Sequence, residues 1–189
     1  MSKKIILSSN SPRRQQLLAG LDLDFVVDTD NNFEEGPEPG VDAYKVPMDM
    51  SIGKSHGFHR PLEEDEVLIT SDTVVIVDGK VWGKPCDAKQ AKEMLSMLSG
   101  RSHEVVTAVT IRTQAEERSF SELSKVHFKQ LRESEIDYYV DKYRPLDKAG
   151  AYGIQEWIGY IGISSIEGSH YNVMGFPVQR VWEELQDFL

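Results

Sequence analysis

The chain has 189 residues, of which 40% are hydrophobic and 28% are charged, so its composition is neither that of a disordered protein nor that of a fibrous one. Its net charge of −10 disfavours binding of nucleic acid through the overall field, although a local basic pocket could still bind a small anion. A single cysteine, Cys86, excludes an intramolecular disulfide and a zinc ribbon, and no apolar run approaches the roughly 20 residues of a membrane helix. We therefore expect a cytoplasmic protein with neither a membrane nor a nucleic-acid partner.

The first residues predict a strand, a tight loop and a helix in succession. Lys4 to Ser9 is a short apolar run typical of a buried strand. Ser11 followed by Pro12 is typical of a helix N-cap and of the first helical position. The helix is predicted to run to about Leu21, with its leucines on one buried face.

An acidic segment with the composition of a loop follows this helix. Asp28 to Gly40 is rich in Asp, Asn, Glu, Gly and Pro. The next stretch, Asp42 to Phe58, is ambiguous, because its spacing indicates a helix while Pro47 and Gly53 argue against a continuous one.

The middle and the end of the chain alternate between strands and helices. Asp87, with Gln90 three residues further on, predicts the N-cap of a helix that Gly100 ends. The other predicted elements are strands at Val67 to Thr70 and Val74 to Val77, a turn at Asp78-Gly79 into Lys80 to Trp82, strands at His103 to Thr113 and Phe120 to Lys129, a helix near Ser134 to Tyr143, a hairpin of Trp157 to Ile166 with His170 to Val173, and a helix from Pro177 to Phe188. We therefore expect an α/β fold with a mixed sheet flanked by helices.

The turn between the first strand and the first helix carries residues suited to phosphate. Ser9-Asn10-Ser11-Pro12-Arg13-Arg14 lies where helix N–H groups lack partners and the helix dipole is positive. Arginine presents a rigid fork of donors that matches phosphate oxygens, and two positive charges at this helix end favour a bound anion. A solvated pair of surface arginines remains the alternative on the residues alone.

Carboxylates and a lysine add to this candidate site. Asp72 interrupts the apolar runs, where a charge is costly unless it is paired, bound to metal or exposed, and a structural pair with an arginine is its alternative role. Glu34-Glu35 could supply a second carboxylate to a magnesium-type ion, or be solvated loop residues. Gly83-Lys84-Pro85 is not a P-loop, because its spacing is too short and a proline follows the lysine. Lys84 could still contact phosphate from a rigid turn.

Four motifs, taken together and in this order, resemble a known family. They are Ser-x-Ser-Pro-Arg-Arg at residues 9–14, Ser-Asp-Thr at 71–73, Gly-Lys-Pro at 83–85 and Asp-Lys-Ala-Gly-Ala-Tyr-Gly-Ile-Gln at 147–155. The sequence is similar to the Maf family of nucleoside triphosphate pyrophosphatases over nearly the whole chain. The resemblance implies one domain over residues 1–189 with a two-lobed α/β fold similar to inosine triphosphate pyrophosphatase and a cleft between the lobes. It also implies a homodimer, which is frequent in the family.

The resemblance implies hydrolysis of dTTP or UTP, and of modified pyrimidine nucleotides, to the monophosphate and pyrophosphate with Mg²⁺ or Mn²⁺. The residues that match the family's functional positions are, for catalysis, Asp72, Glu35, Lys54 and Lys84, with Glu35 and Asp72 as metal ligands, and, for substrate binding, Ser9, Ser11, Arg13, Arg14, Thr73 and Gln155. Asp72 would be the proton acceptor, and Arg13, Thr73 and Gln155 match the positions that set base preference.

Gln155 favours pyrimidines, because the dTTP/UTP branch ends the last motif in Tyr-Gly-Ile-Gln, whereas the 7-methyl-GTP branch carries a glutamate-containing segment there. A glutamine amide offers both a donor and an acceptor, which match the O4 and N3–H edge of uracil and thymine. A 7-methyl-GTP pyrophosphatase and a nucleotide-binding regulator of cell division that does not hydrolyse its ligand are the alternatives. One departure concerns Lys54, since Pro47 and Gly53 in its lead-in predict a broken or shifted helix.

Overall fold

The computed structural model describes residues 3–34, 36 and 40–189, so Glu35 lies outside the described residues. The strands are β1 (Lys4–Leu7), β2 (Phe25–Val27), β3 (Glu66–Val77), β4 (Lys80–Trp82), β5 (Ser102–Arg112), β6 (Glu117–Phe128) and β7 (Ile163–Glu167). The helices are α1 (Pro12–Ala19), α2 (Val46–His56), α3 (Ala88–Leu98), α4 (Glu133–Tyr143), α5 (Trp157–Gly162), α6 (His170–Met174) and α7 (Val178–Leu185), with 3₁₀ turns at Ala149–Ala151 and Gln186–Phe188. Within these ranges, no helix combines the length and the apolar character that crossing a membrane requires.

The described strands form one seven-stranded sheet in the order β2-β1-β3-β5-β6-β7, with β4 paired to β3. β1 runs parallel to β2 and β3, whereas β4 is antiparallel to β3 and β7 is antiparallel to β6. Leu7 at the end of β1 lies opposite Ile69 of β3, so the loop after β1 emerges beside residues 70–73. The mixed sheet with its helices confirms the predicted α/β fold class.

The chain divides into two compact units, and strands β3, β5 and β6 contribute residues to both. Unit 1 comprises Met1–Thr73, Thr107–Glu122 and Gly175–Leu189, and unit 2 comprises Val74–Val106 and Leu123–Met174. In unit 1, β1 and the first half of β3 are apolar runs buried on both faces, as is typical of parallel strands. The buried core of unit 1 includes Ile5, Leu7, Leu18, Val67, Ile69, Val109, Phe176, Val181 and Leu185.

Unit 2 is built around the amphipathic helix α3. The Asp87 carboxylate accepts a hydrogen bond from the Gln90 backbone N–H at 2.7 Å, which confirms the predicted N-cap. Ala91, Leu95 and Leu98 form its buried face. They belong to a core that also includes Val75, Val126, Phe128, Tyr139, Val140 and Ile158.

Helix α2 is continuous from Val46 to His56, so the predicted break before Lys54 was wrong. Pro47 lies in the first turn, where the N–H that proline lacks would have no helical partner. Gly53 faces Phe33, and a Cβ at position 53 would lie 2.3 Å from Phe33 Cε2. The glycine therefore permits close packing of the helix and does not interrupt it.

The predicted hairpin of Trp157 to Ile166 with His170 to Val173 was also wrong. Residues 157–162 form α5 and residues 170–174 form α6, and only β7 is a strand, paired with β6. The β-branched isoleucines favoured a strand, but tertiary packing overrides such propensity, and Ile158 is fully buried in the core of unit 2. Gly159 allows this packing, since a Cβ there would lie 1.8 Å from the Ile154 carbonyl oxygen.

A buried histidine–tyrosine pair lies in unit 2. His103 is 3% exposed, and its Nε2 lies 2.6 Å from Tyr152 Oη. Burial, together with the charge of His127, lowers the pKa of His103 from 6.5 to about 4. Between these two values the unfolded chain binds a proton at this position that the folded chain does not.

The free energy of unfolding should therefore decrease as the pH falls from about 6.5 towards about 4, because the unfolded state gains the proton. Urea denaturation at about pH 7.5 and about pH 5 measures this slope in the wild type and in His103→Phe. The variant should be less stable at both pH values, because Tyr152 loses its partner, but its slope should be smaller. If the free energy of unfolding changed equally with pH in the two proteins, the slope could not be assigned to His103. Hydrogen bonding from Arg60 lowers the pKa of Glu66 from 4.5 to about 2, so Glu66 changes the free energy of unfolding mainly below the tested pH range, and equally in both proteins.

Candidate active site

The loop between β1 and α1 contains serines and arginines predicted to bind substrate. Ser9 is buried, and its Oγ lies 3.3 Å from the Ser11 backbone N and from Arg14 Nη1. Ser11 stands at the N-cap position of α1, but its side chain makes no capping hydrogen bond. It therefore leaves the first N–H groups of the helix to other acceptors. Arg13 is half-buried in the first turn.

Arg14 holds together three parts of unit 1. Its Nε donates to the Gly175 carbonyl at 2.8 Å, and its Nη1 donates to the Ser71 carbonyl at 2.8 Å. Its Nη2 donates to Thr73 Oγ1 at 2.9 Å, and that hydroxyl also lies 3.0 Å from Thr107 Oγ1. Each nitrogen of the guanidinium thus has a protein acceptor. Arg14 thereby ties α1 to β3 and to the residues before α7.

Asp72 lies inside β3, which is one strand where the sequence predicted two. In β3 only Asp72 and Thr73 are not buried. Asp72 Oδ1 lies 2.7 Å from Lys54 Nζ, and the side chains are 18% and 15% exposed respectively. The carboxylate is therefore paired and still reachable by solvent.

Lys54 reaches Asp72 because buried hydroxyls fix α2 against the sheet. Ser51 Oγ donates to the Thr70 carbonyl at 3.3 Å, and Thr70 Oγ1 donates to the Ser51 carbonyl at 2.8 Å. One turn later, Arg112 Nε donates to Ser55 Oγ at 2.8 Å. These bonds lie on both sides of Lys54 along the helix and hold the turn from which its side chain reaches Asp72.

The second predicted metal ligand, Glu35, lies outside the described residues, so its approach to Asp72 stays a prediction. The Asp72 carboxylate is a hard oxygen donor of the kind that Mg²⁺ and Mn²⁺ prefer, so it fits a metal as one ligand. Within the described part of the chain, three potential ligand atoms lie within 4.8 Å of one another in a single group elsewhere in unit 1, formed by Asp28, Asp30 and His59.

Two predicted residues, Lys84 and Gln155, belong to unit 2, and their convergence with the residues of unit 1 stays a prediction. Lys84 is exposed, and its loop is tied to the last motif by the Gly150 N–H, which donates to the Gly83 carbonyl at 3.2 Å. Gln155 is half-buried, and its Oε1 is a buried acceptor without a hydrogen-bond partner among the described residues. Such an atom is costly to leave unpaired, so it is open to a donor that the described residues do not supply.

Comparison with known proteins decides the family. The family model described as Maf-like protein matches residues 4–188. The chain belongs to the Maf-like protein family. A Porphyromonas gingivalis protein named dTTP/UTP pyrophosphatase is 50% identical over 187 residues, which cover 98% of this chain and 94% of that protein. A Bacteroides thetaiotaomicron protein of the same name is 49% identical over 183 residues, which cover 97% of this chain and 95% of that protein.

The fold of this Maf-like chain also occurs in a solved structure. The Staphylococcus aureus Ham1 protein aligns with a TM-score of 0.52 at 17% identity, and the alignment covers 96% of this chain and 100% of that one. At this identity the likeness shows the fold alone. It agrees with the α/β class that the sequence predicts.

Sequence reasoning missed several residues that hold the motifs of the Maf-like chain in place. Thr107 and the Gly175 carbonyl contact Thr73 Oγ1, although they lie far from it in the sequence. Lys148 is buried and lies 3.1 Å from Glu156 Oε1. Its place inside the motif at 147–155 was a signal, since a lysine among small apolar residues needs a partner when buried.

Arg14→Lys should lower the free energy of unfolding by about 2 kcal/mol, because one ammonium cannot replace a fork of donors that reaches separate acceptors. Urea denaturation followed by circular dichroism measures the change. Gln16→Ala, at an exposed position of the same helix, is the matched control and should change stability by less than about 0.5 kcal/mol. If Arg14→Lys is as stable as this control, Arg14 does not stabilise the contacts of α1 with β3 and with the residues before α7.

Proposed function

We propose that this protein hydrolyses dTTP and UTP to the monophosphate and pyrophosphate. The observation that carries the proposal is the Asp72 carboxylate, which is held by Lys54 and reaches solvent from a strand in which only Asp72 and Thr73 are not buried. The names of the relatives at 50% and 49% identity support the choice of pyrimidine triphosphates.

In this proposal Asp72 acts as the general base. Its carboxylate accepts a proton from a water molecule whose oxygen attacks the α-phosphorus. The bond from the α-phosphorus to the bridging oxygen breaks, and pyrophosphate leaves. A divalent cation, Mg²⁺ or Mn²⁺, held by Asp72 and Glu35 would neutralise part of the triphosphate charge.

The cationic residues divide into two roles. Lys54, which the family resemblance places among the catalytic residues, orients the Asp72 carboxylate through its hydrogen bond. Arg13 and Lys84 offset the phosphate charge, as oriented positive groups do in phosphoryl chemistry. Positive charge placed before the reaction begins needs no reorganisation when negative charge develops.

Among the serines, Arg14 and Thr73, we distinguish a residue that contacts phosphate directly from residues that hold the site in place. Ser11, whose side chain does not cap α1, binds phosphate oxygens with Arg13 at the helix N-terminus. Ser9 and Thr73 contact Arg14, so these three residues position the loop and the strand around the substrate. Of the five residues Ser9, Ser11, Arg13, Arg14 and Thr73, which the family resemblance assigns to substrate binding, only Ser11 and Arg13 are therefore proposed to contact the phosphates directly.

Gln155 recognises the base. Its Oε1, which has no partner among the described residues, accepts the N3–H of uracil or thymine, and its amide nitrogen donates to O4. Cytosine presents an acceptor at N3 and a donor at the 4-amino group, so it would require the amide turned by about 180°, and the preference for uracil and thymine depends on the amide keeping one orientation.

We also propose that the protein acts in the cytoplasm as a homodimer. The family resemblance supports the dimer, and the single cysteine supports a reducing compartment. Sedimentation equilibrium of the purified chain tests the dimer, and a monomer at every concentration would contradict it.

Asp72→Asn should lower kcat for UTP by about 10²- to 10³-fold or more, because the amide has the same size but cannot accept the proton. Pyrophosphate release measures kcat, and titration calorimetry should show that UTP binding is largely retained. Asp78→Asn is the matched control, since Asp78 is an exposed carboxylate paired with Arg101 at the turn after β3, and it should keep normal turnover. Normal turnover by Asp72→Asn would remove Asp72 from its catalytic role.

A nucleotide panel, assayed with and without Mg²⁺, separates the proposal from its alternatives. We expect metal-dependent release of pyrophosphate from dTTP and UTP and poor release from 7-methyl-GTP. A preference for 7-methyl-GTP would place the chain in the other branch of the family. Tight nucleotide binding without release would instead indicate the regulator of cell division.

A further inference from the structure

Gln155 lies in a short segment, residues 153–156, that connects the 3₁₀ turn Ala149–Ala151 to helix α5. Because Gln155 Oε1 is buried without a partner among the described residues, that atom is not anchored by a hydrogen bond of its own. The place of the Gln155 side chain therefore depends on how the backbone is held on either side. Gly153 and Glu156 are the first and last residues of this segment, and both bind the same side chain.

That side chain is Tyr139 of α4, which is fully buried. Its hydroxyl accepts a hydrogen bond from the Gly153 backbone N–H at 3.1 Å and donates one to Glu156 Oε2. Burial and the Glu156 carboxylate both raise the pKa of Tyr139, so the hydroxyl keeps its proton and remains a donor. One hydroxyl thus joins the two ends of the segment that carries Gln155.

The carboxylate of Glu156 is held from its other side as well. Glu156 Oε1 lies 3.1 Å from the buried Lys148 Nζ, so each of the two oxygens has a partner. A Cβ at Gly153 would lie 3.0 Å from Glu156 Cδ and 3.1 Å from Lys148 Cε. The segment, the carboxylate and the lysine are therefore packed tightly, and a shift of one end would move the other.

We propose that Tyr139 is a positioning residue for pyrimidine recognition, because its hydroxyl fixes the segment that orients the Gln155 amide. The inference rests on the proposed function, in which Gln155 reads the O4 and N3–H edge of the base. Tyr139 acts through Gly153 and Glu156. Loss of the Tyr139 hydroxyl should therefore reduce the ratio of kcat/KM for UTP to that for CTP more than it reduces the rate of hydrolysis itself.

Tyr139→Phe removes the hydroxyl and keeps the ring stacked on Tyr143, whose centroid lies 5.2 Å away. We expect kcat/KM for UTP to fall about tenfold, mainly through KM, as for one lost oriented hydrogen bond, with less than about a twofold change for CTP. In a Gln155→Ala background, Tyr139→Phe should cause no further loss of selectivity, because both changes remove the same recognition. If Tyr139 had a purely structural role, Tyr139→Phe would lower kcat/KM for UTP and for CTP by the same factor. Its effect would then add to that of Gln155→Ala.

Tyr138→Phe is the matched control on the same helix, since its exposed hydroxyl bonds Lys142 at 2.7 Å, and it should leave selectivity unchanged. Glu156→Gln, measured in parallel, keeps the side-chain shape but weakens its bonds to Tyr139 and Lys148, and should reduce selectivity in the same direction. If the wild type prefers UTP and both Tyr139→Phe and Glu156→Gln retain that preference, the inference is wrong and the proposed function stands. A wild type that does not prefer UTP to CTP would overturn the proposed base recognition itself.

Discussion

The ion pair between Asp72 and Lys54 is the interaction around which the candidate site residues of unit 1 are arranged. A carboxylate within a buried strand is costly unless it is paired or reaches solvent, and this one does both. The pair requires α2 to lie closely against the sheet, which the Ser51–Thr70 hydrogen bonds and the contact of Gly53 with Phe33 allow. An ion pair whose side chains are only 18% and 15% exposed is weak evidence for stability, because removing both charges from water offsets much of their attraction, so we assign its value to the orientation of the carboxylate.

Much of the fold could be predicted from local patterns. The apolar runs of β1 and β3 and the Asp87 cap with its apolar stripe define their elements without help from the rest of the chain. The errors occurred at one proline in the first turn of a helix and at two glycines that allow close packing. Pro47 begins a helix, and Gly53 and Gly159 make room for a ring and a carbonyl group contributed by distant or preceding residues, which no local pattern reveals.

The candidate site was predictable in its residue types but not in its contacts. The position of Asp72 in an apolar strand was sufficient to identify it as a candidate site residue. Its pairing with Lys54 could not be predicted, because the lysine belongs to a helix whose existence was in doubt. Arg14 illustrates the same limit, since its acceptors lie up to 161 residues away in the sequence. Tyr139 carried no local signal at all, because a buried tyrosine in an amphipathic helix is ordinary core until its hydroxyl partners are known.

The claim that Asp72 and Lys54 work as one catalytic unit is tested most directly by a double-mutant cycle on single-turnover rates with UTP. The four proteins are the wild type, Asp72→Asn, Lys54→Met and the variant with both substitutions. If Lys54 serves to orient Asp72, the double variant should lose about as much rate as Asp72→Asn alone, since residues that act as a unit are not additive. Losses that add in the double variant would show that the two side chains act independently and would contradict the account.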